Sequence, residues 1–163
     1  MTLFTLGMTS PVGPLRLFST ERALTAILME NHKGAPDLVA TPREDHPVLT
    51  EARRQLQAYF AGERHAFDVP LEPPGTPFQQ AVWRALREIP PGVTWSYAAL
   101  ARHVGREGAA RAVGSANARN PISIIVPCHR VVGTDGKLTG YAGGLPTKQW
   151  LLAHEQRWVA RAS

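Results

Sequence analysis

One cysteine occurs among the 163 residues, Cys128, in the run Ile124-Ile125-Val126-Pro127-Cys128-His129-Arg130-Val131. A lone thiol forms no internal disulfide, and it falls short of a structural zinc site, which takes several Cys and His ligands. Two chemistries remain. The thiol is either inert, since free cysteine is among the most buried residue types, or a nucleophile. The β-branched run stops at Pro127 and gives way to Cys-His-Arg, so an apolar strand is expected to become a polar, cationic turn at the sulfur. Positive neighbours favour the thiolate, which is the reactive form. The octapeptide alone leaves both readings open.

The elements around this segment fall into two groups. Leu3–Leu6, Leu15–Phe18 and Leu24–Leu28 read as short strands separated by turn residues, an antiparallel meander. Residues 31–46, with Gly34, Pro36 and Pro42, read as loop. Val48 to Gly62 has helical periodicity, with Val48, Ala52, Leu56 and Tyr59/Phe60 on one face. Pro70 to Pro77 is proline-rich and therefore extended, and marks the boundary between residues 1–74 and 75–163.

After the boundary, Thr76-Pro77-Phe78-Gln79 predicts a helix start, with Thr76 as N-cap, Pro77 at the first helical position and Gln79 closing a capping box. Phe78, Val82, Leu86 and Ile89 form its apolar stripe. Ser96 predicts the N-cap of a helix over Tyr97–Val104. A glycine-bearing turn, 105–108, leads to a second helix over 109–118, the outline of a helix-turn-helix. That second helix has little bulk around its single Arg111. A full-width helix is about 10–12 Å across and the DNA minor groove only about 6 Å wide, so a slim helix suits a groove floor; close helix packing would use small residues equally well. Gly133 to Lys137 reads as a turn. Gly140-Tyr141-Ala142-Gly143-Gly144 lacks the spacing of a phosphate loop, and a last helix runs from Pro146 to about Arg157.

The bulk numbers narrow the function classes. A chain that is 44% hydrophobic and 19% charged has the composition of a globular protein, not a disordered one. No apolar run reaches the roughly 18 residues needed to cross a bilayer, the N-terminus does not resemble a signal peptide, and a free cysteine fits the cytoplasm. The net charge of +5 is unevenly placed: residues 1–74 carry 7 Lys/Arg against 9 Asp/Glu, and residues 75–163 carry 11 against 4. The basic half is the cysteine half, which points to a polyanion such as nucleic acid.

Taken together, the motifs resemble those of the methylated-DNA–protein-cysteine methyltransferases, the O6-alkylguanine-DNA alkyltransferases. The resemblance rests on Ser96-Tyr97, Ala110-Arg111-Ala112-Val113-Gly114, Asn120-Pro121, Ile125 to Val131, Tyr141 to Leu145 and Leu151-Leu152-Ala153-His154-Glu155. These cover about residues 76–156 in the family's order, and Pro-Cys-His-Arg-Val is a specific signature. Residues 1–74 match in outline only. The implied fold is α+β: a small ribonuclease-H-like α/β lobe, then a mostly helical domain containing a helix-turn-helix.

The resemblance implies direct reversal of DNA damage. O6-alkylguanine, with O4-alkylthymine left open, would be flipped from duplex DNA bound through its minor groove, and its alkyl group would pass to Cys128. The protein would act as a monomer, with cooperative binding along DNA left open, and without cofactor or membrane. His129 would assist deprotonation through a water and Glu155 would orient it. Asn120 would brace the turn between recognition helix and active-site segment. Tyr97, Arg111, Ala112 and Asn117 would meet the DNA, with Arg111 filling the hole left by the flipped base. Tyr97, Val131, Tyr141 and Ala142 would line the guanine pocket. An alkylated cysteine is a thioether that water does not cleave, so each molecule would act once.

Some family members hold zinc in the N-terminal lobe; here that lobe has no cysteine, and His32, His46 and His65 lack ligand spacing, so no metal is expected. Trp95, Asn117 and Ala142 depart from the residues expected at those places. Rival readings are a helix-turn-helix or lesion-sensing protein without alkyl transfer, and a Cys-His hydrolase. The first leaves Cys128 without purpose, and the second leaves the DNA-binding helix without one.

Overall fold

The computed structural model describes residues 2–30, 32, 35, 37–133 and 135–162, and its chain separates into two compact units, Met1–Pro74 and Gly75–Ser163. In the first unit, β1 (Phe4–Met8), β2 (Leu15–Ser19) and β3 (Leu24–Met29) form the antiparallel meander, with Leu6 opposite Leu17 and Leu17 opposite Ile27. A short β4 (Thr41–Pro42) lies parallel to β1, giving the order β3-β2-β1-β4. This strand falls where loop is expected. It is only two residues long and sits at the sheet edge, where a proline is tolerated because no ladder donor is needed. Gly34 and Pro36, which support the loop reading, lie outside the described residues.

Helix α1 (Pro47–Phe60) covers the sheet and starts at His46, whose Nδ1 accepts from the Val48 amide at 3.2 Å. Its buried face is Leu49, Ala52, Gln55, Leu56 and Tyr59, so Leu49 takes the place expected of Val48. The buried Gln55 is satisfied by Glu51 and by the backbone and side chain of Asp68. At the start of the proline-rich segment Leu71 forms a parallel bridge with Leu24, whose N–H donates to the Pro70 carbonyl and whose carbonyl accepts from the Glu72 amide.

The second unit is mostly helical. Helix α2 (Pro77–Leu86) has the full capping box: Gln79 N–H donates to Thr76 Oγ1 at 3.1 Å, and the Thr76 amide donates to Gln79 Oε1 at 3.0 Å. Val82, Leu86 and Ile89 are buried, but Phe78 is only half-buried and Trp83 replaces it in the interior. Trp83 lies against Gly75, where an added Cβ would come within 2.5 Å of the ring. Its Nε1–H donates to the Ala116 carbonyl at 2.9 Å, tying α2 to α4 (Ala110–Ala118). Trp83→Phe is therefore expected to lower unfolding stability by about 1 kcal/mol. Urea titration checks this, and an unchanged midpoint would remove the bond from the account.

Helix α3 (Tyr97–His103) begins at Ser96, whose Oγ accepts from the Ala99 amide at 3.0 Å. The turn to α4 needs left-handed backbone at Gly105 (φ 74°) and Gly108 (φ 87°), which glycine adopts without steric cost. Two short parallel strands, β5 (Trp95–Ser96) and β6 (Val131–Val132), join the entrance of α3 to the exit of the cysteine segment, with Trp95 opposite Val131. Helix α5 (Leu145–Ala162) extends past the expected end near Arg157.

Candidate active site around Cys128

The apolar run before the cysteine is not a strand. Residue 122 makes an isolated bridge and residues 123–125 form a turn flanked by bends, all of 122–130 are buried, and Ile124 has φ 76°. A left-handed β-branched residue is strained by about 1–3 kcal/mol and persists only where its surroundings over-determine it. Asn120 supplies much of that constraint. Its Nδ2 donates to the Val126 carbonyl at 2.8 Å, and its Oδ1 accepts from the Ile122 amide at 3.0 Å. The side chain thus clamps both ends of the turn that leads from α4 to the cysteine.

Cys128, His129 and Arg130 form a single 3-10 turn ending at β6. Strand alternation therefore does not govern where their side chains go. Cys128 is buried, at 6% exposure. The expected activation by cationic neighbours is corrected here: burial pushes the thiol up from its ordinary value, only partly offset by Asn120 and by the charge of Lys148. The adjacent His129 and Arg130 turn to Glu155 instead. His129 Nε2 lies 2.8 Å from Glu155 Oε2. Arg130 donates through Nε and Nη2 to the two carboxylate oxygens at 2.8 and 2.9 Å, and through Nη1 to the Ile89 carbonyl at 2.6 Å. Burial alone would raise the Glu155 pKa, but His129 and Arg130 override it and hold the carboxyl far below the ordinary range.

His129 is fully buried, and desolvation lowers its pKa despite the carboxylate. Neutral imidazole has one N–H and one lone pair. A carboxylate at Nε2 fixes the proton there, leaving Nδ1 as acceptor, and Nδ1 is buried without a hydrogen-bond partner. Because the folded-state pKa lies below the unfolded value of 6.5, the unfolded chain takes up the proton first. Stability present above pH 6.5 is thus lost as the pH falls, and the half-buried His32 acts in the same direction. The thermal midpoint is expected to drop between pH 7 and pH 5; a flat or rising midpoint in calorimetry would contradict the assignment.

The remaining residues are disposed as follows. Arg111 and Ala112 are exposed on α4. Asn117, expected at the DNA, lies inside instead, 5% exposed, because it sits on the inner face of α4 with Val113 and Ala116. Its Oδ1 has no hydrogen-bond partner. Tyr97, half-buried at the first turn of α3, shares a 2.6 Å hydrogen bond with Thr139. Tyr141 is buried, and burial raises its pKa well above the ordinary value. Ala142 lies in the turn closed by Gly144 N–H on the Tyr141 carbonyl. Trp95 is half-buried with its ring tilted against His103, beside a shallow pocket also lined by Ala99 and Arg102.

Sequence reasoning missed two residues here. In sequence Arg130 reads only as a source of positive charge, whereas in the structure it anchors Glu155. Lys148 carried no motif signal at all, yet its side chain is fully buried and its Nζ donates to the Val131 carbonyl at 2.7 Å and the Thr139 carbonyl at 3.3 Å. Among the described residues no group of His, Cys, Asp or Glu is placed to hold a metal ion.

A buried thiol, an imidazole held by a carboxylate and a helix-turn-helix share one domain, the class of arrangement that cysteine chemistry on DNA requires. The family models make this specific. Residues 77–157 match the 6-O-methylguanine DNA methyltransferase DNA-binding domain, and residues 5–73 match the ribonuclease-like domain of the same family. The chain belongs to the methylated-DNA–protein-cysteine methyltransferase family. It is 51% identical over 146 residues to the methylated-DNA–protein-cysteine methyltransferase of Methanosarcina acetivorans, covering 90% of this chain and 94% of that protein. The Mycobacterium leprae protein of the same name is 51% identical over 153 residues, covering 94% and 92%. In structure the chain is similar to Mycobacterium tuberculosis OGT crystallised in complex with DNA, with a TM-score of 0.87, 48% identity and coverage of 97% and 94%.

Proposed function

We propose that this protein repairs DNA by direct reversal, taking the alkyl group from O6 of guanine onto Cys128 in a single-use reaction. The observation that carries the reading is the buried Cys128 turn, braced by Asn120 and followed by an imidazole whose Nε2 is held by Glu155 while Nδ1 stays open as acceptor. The relatives' names, and the DNA complex of the mycobacterial protein, support the substrate class.

The chemistry balances as an SN2 transfer. The thiol proton passes toward His129 Nδ1, through a water in this reading, and the sulfur attacks the alkyl carbon. A carbon–sulfur bond forms while the carbon–O6 bond breaks; the electron pair leaves on the purine as its anion, which regains guanine's N1 proton, in balance with the one that the thiol released to His129. Sulfur suits this attack because it is soft and strongly nucleophilic. At rest the buried thiol is held protonated, so the nucleophile forms only when base and substrate act together.

Negative charge develops on the departing purine, and Tyr97 donates to its N3. Arg111 and Ala112, on the exposed face of α4, enter the minor groove, and Arg111 offsets an unstacking cost of about a few kcal/mol. Val131, Tyr141 and Ala142 line the pocket. Residues 75–163 hold both DNA-binding and acceptor functions, and the cytoplasm is the compartment where Cys128 stays reduced. No helix among the described residues is long and apolar enough to cross a membrane.

Stoichiometry tests the reading. With excess duplex containing O6-methylguanine, uptake is expected to saturate at one methyl group per chain. Continued turnover would refute single use, and tight binding without uptake would leave only a lesion-binding protein.

A further inference from the structure

We propose that Thr139 is a positioning residue for Tyr97, its hydroxyl donating to the phenolic oxygen so that the Tyr97 hydrogen is aimed at the leaving purine. The inference rests on the function proposed above and deepens it. A phenol hydrogen lies near the ring plane and has two orientations; an acceptor lone pair already occupied on one side leaves the other side for the hydrogen. Thr139 Oγ1 lies 2.6 Å from Tyr97 Oη, across 42 residues of sequence. Donation from Thr139 also polarises the phenol, since hydrogen bonds in a chain strengthen one another. The assembled relay runs from the Thr139 hydroxyl to the Tyr97 hydroxyl and on to the purine N3.

Thr139 is held well enough to do this, although it lies in an irregular segment between β6 and α5. Lys148, fully buried on α5, donates through Nζ to the Thr139 carbonyl and to the Val131 carbonyl. The same ammonium therefore fixes the backbone under Thr139 and the strand that follows Cys128. The threonine methyl is placed too: it faces Gly133, where an added Cβ would meet Cγ2 at 3.5 Å. With the methyl on Gly133 and the hydroxyl on Tyr97, both branches of a side chain already stiff at χ1 are accounted for. Serine keeps the hydroxyl and loses the methyl. Valine keeps the shape and loses the hydroxyl.

The test is the single-turnover rate of methyl transfer from duplex O6-methylguanine for the full-length protein and its T139V, T139S, Y97F and Y97F/T139V variants. Loss of one hydrogen bond made in the transition state predicts that T139V is slower by about 5- to 10-fold. T139S is expected within about twofold of the parent, and T139V is expected to cost less than about twofold once Tyr97 is phenylalanine. The proposal is overturned if T139S is as slow as T139V, if T139V costs the same factor without the Tyr97 hydroxyl, or if T139V has no effect. Failure of the underlying function shows separately, as a parent protein that takes up no methyl group.

Discussion

Cys128→Ala takes up no methyl group from duplex O6-methylguanine, while its affinity for that duplex stays within about threefold of the parent's. The expectation follows from the chemistry of the site. Transfer needs a soft nucleophile, and Cys128 is the only thiol in the chain. The groups expected to meet DNA, Arg111 and Ala112 on the exposed face of α4, lie outside the substitution. A buried cysteine behaves as a small hydrophobe, so alanine leaves the 3-10 turn intact at a small cavity cost. Intact-mass spectrometry and a fluorescence binding titration check the two halves independently. Retained uptake would move the acceptor elsewhere, whereas lost binding would mean that the cysteine segment shapes the DNA surface directly.

The second large effect is expected for Glu155→Gln, a change of one atom. Glu155 is only 2% exposed and accepts from both His129 and Arg130. The amide keeps the shape but has one acceptor oxygen in place of two, so its NH2 opposes either Arg130 Nε–H or His129 Nε2–H; in the second orientation Nε2–H has nothing to donate to. The imidazole answers by moving its proton to Nδ1, so the lone pair offered to the cysteine disappears. In catalytic triads a change of this kind costs on the order of 10⁴ in rate, and a loss of at least 10² is expected here. Arg130 also loses its counter-charge in the interior, and breaking a buried pair costs about 3–5 kcal/mol. The kinetic test is accordingly run at low temperature with folding verified by circular dichroism. A folded variant with parental rate would remove His129 from proton transfer.

How much of this could be read from sequence depended on whether the governing interactions were local. Thr76, Pro77 and Gln79 specify the start of α2 within four residues, and Ser96 specifies that of α3, so both caps were legible. The apolar run before Cys128 reads as strand in sequence and is not one, because periodicity alone does not fix the conformation of a short buried run. Its actual course depends on Asn120 bridging to Val126 and Ile122, with Ile124 forced to positive φ. The trend of the thiol is hidden from the sequence for a similar reason: His129 is kept neutral by burial, and the charge of Arg130 is taken up by a carboxylate 25 residues away.

Asn117 illustrates the same limit on α4. The composition of that helix shows small residues all round, and only packing against Trp83 and α2 decides that Ala116 and Asn117 face inward while Arg111 faces out. Lys148 is the extreme case. A lysine near the start of a helix reads as solvated, and nothing local signals that two backbone carbonyls, from β6 and from the segment carrying Thr139, converge on its ammonium.

The most direct test is where the methyl group goes. The full-length protein is reacted with duplex DNA carrying a single isotopically methyl-labelled O6-methylguanine, then digested and mapped by tandem mass spectrometry. The label is predicted on the sulfur of Cys128, one per chain, with unmodified guanine left in the duplex. Label on any other residue, or label retained on the DNA after tight binding, would contradict the account.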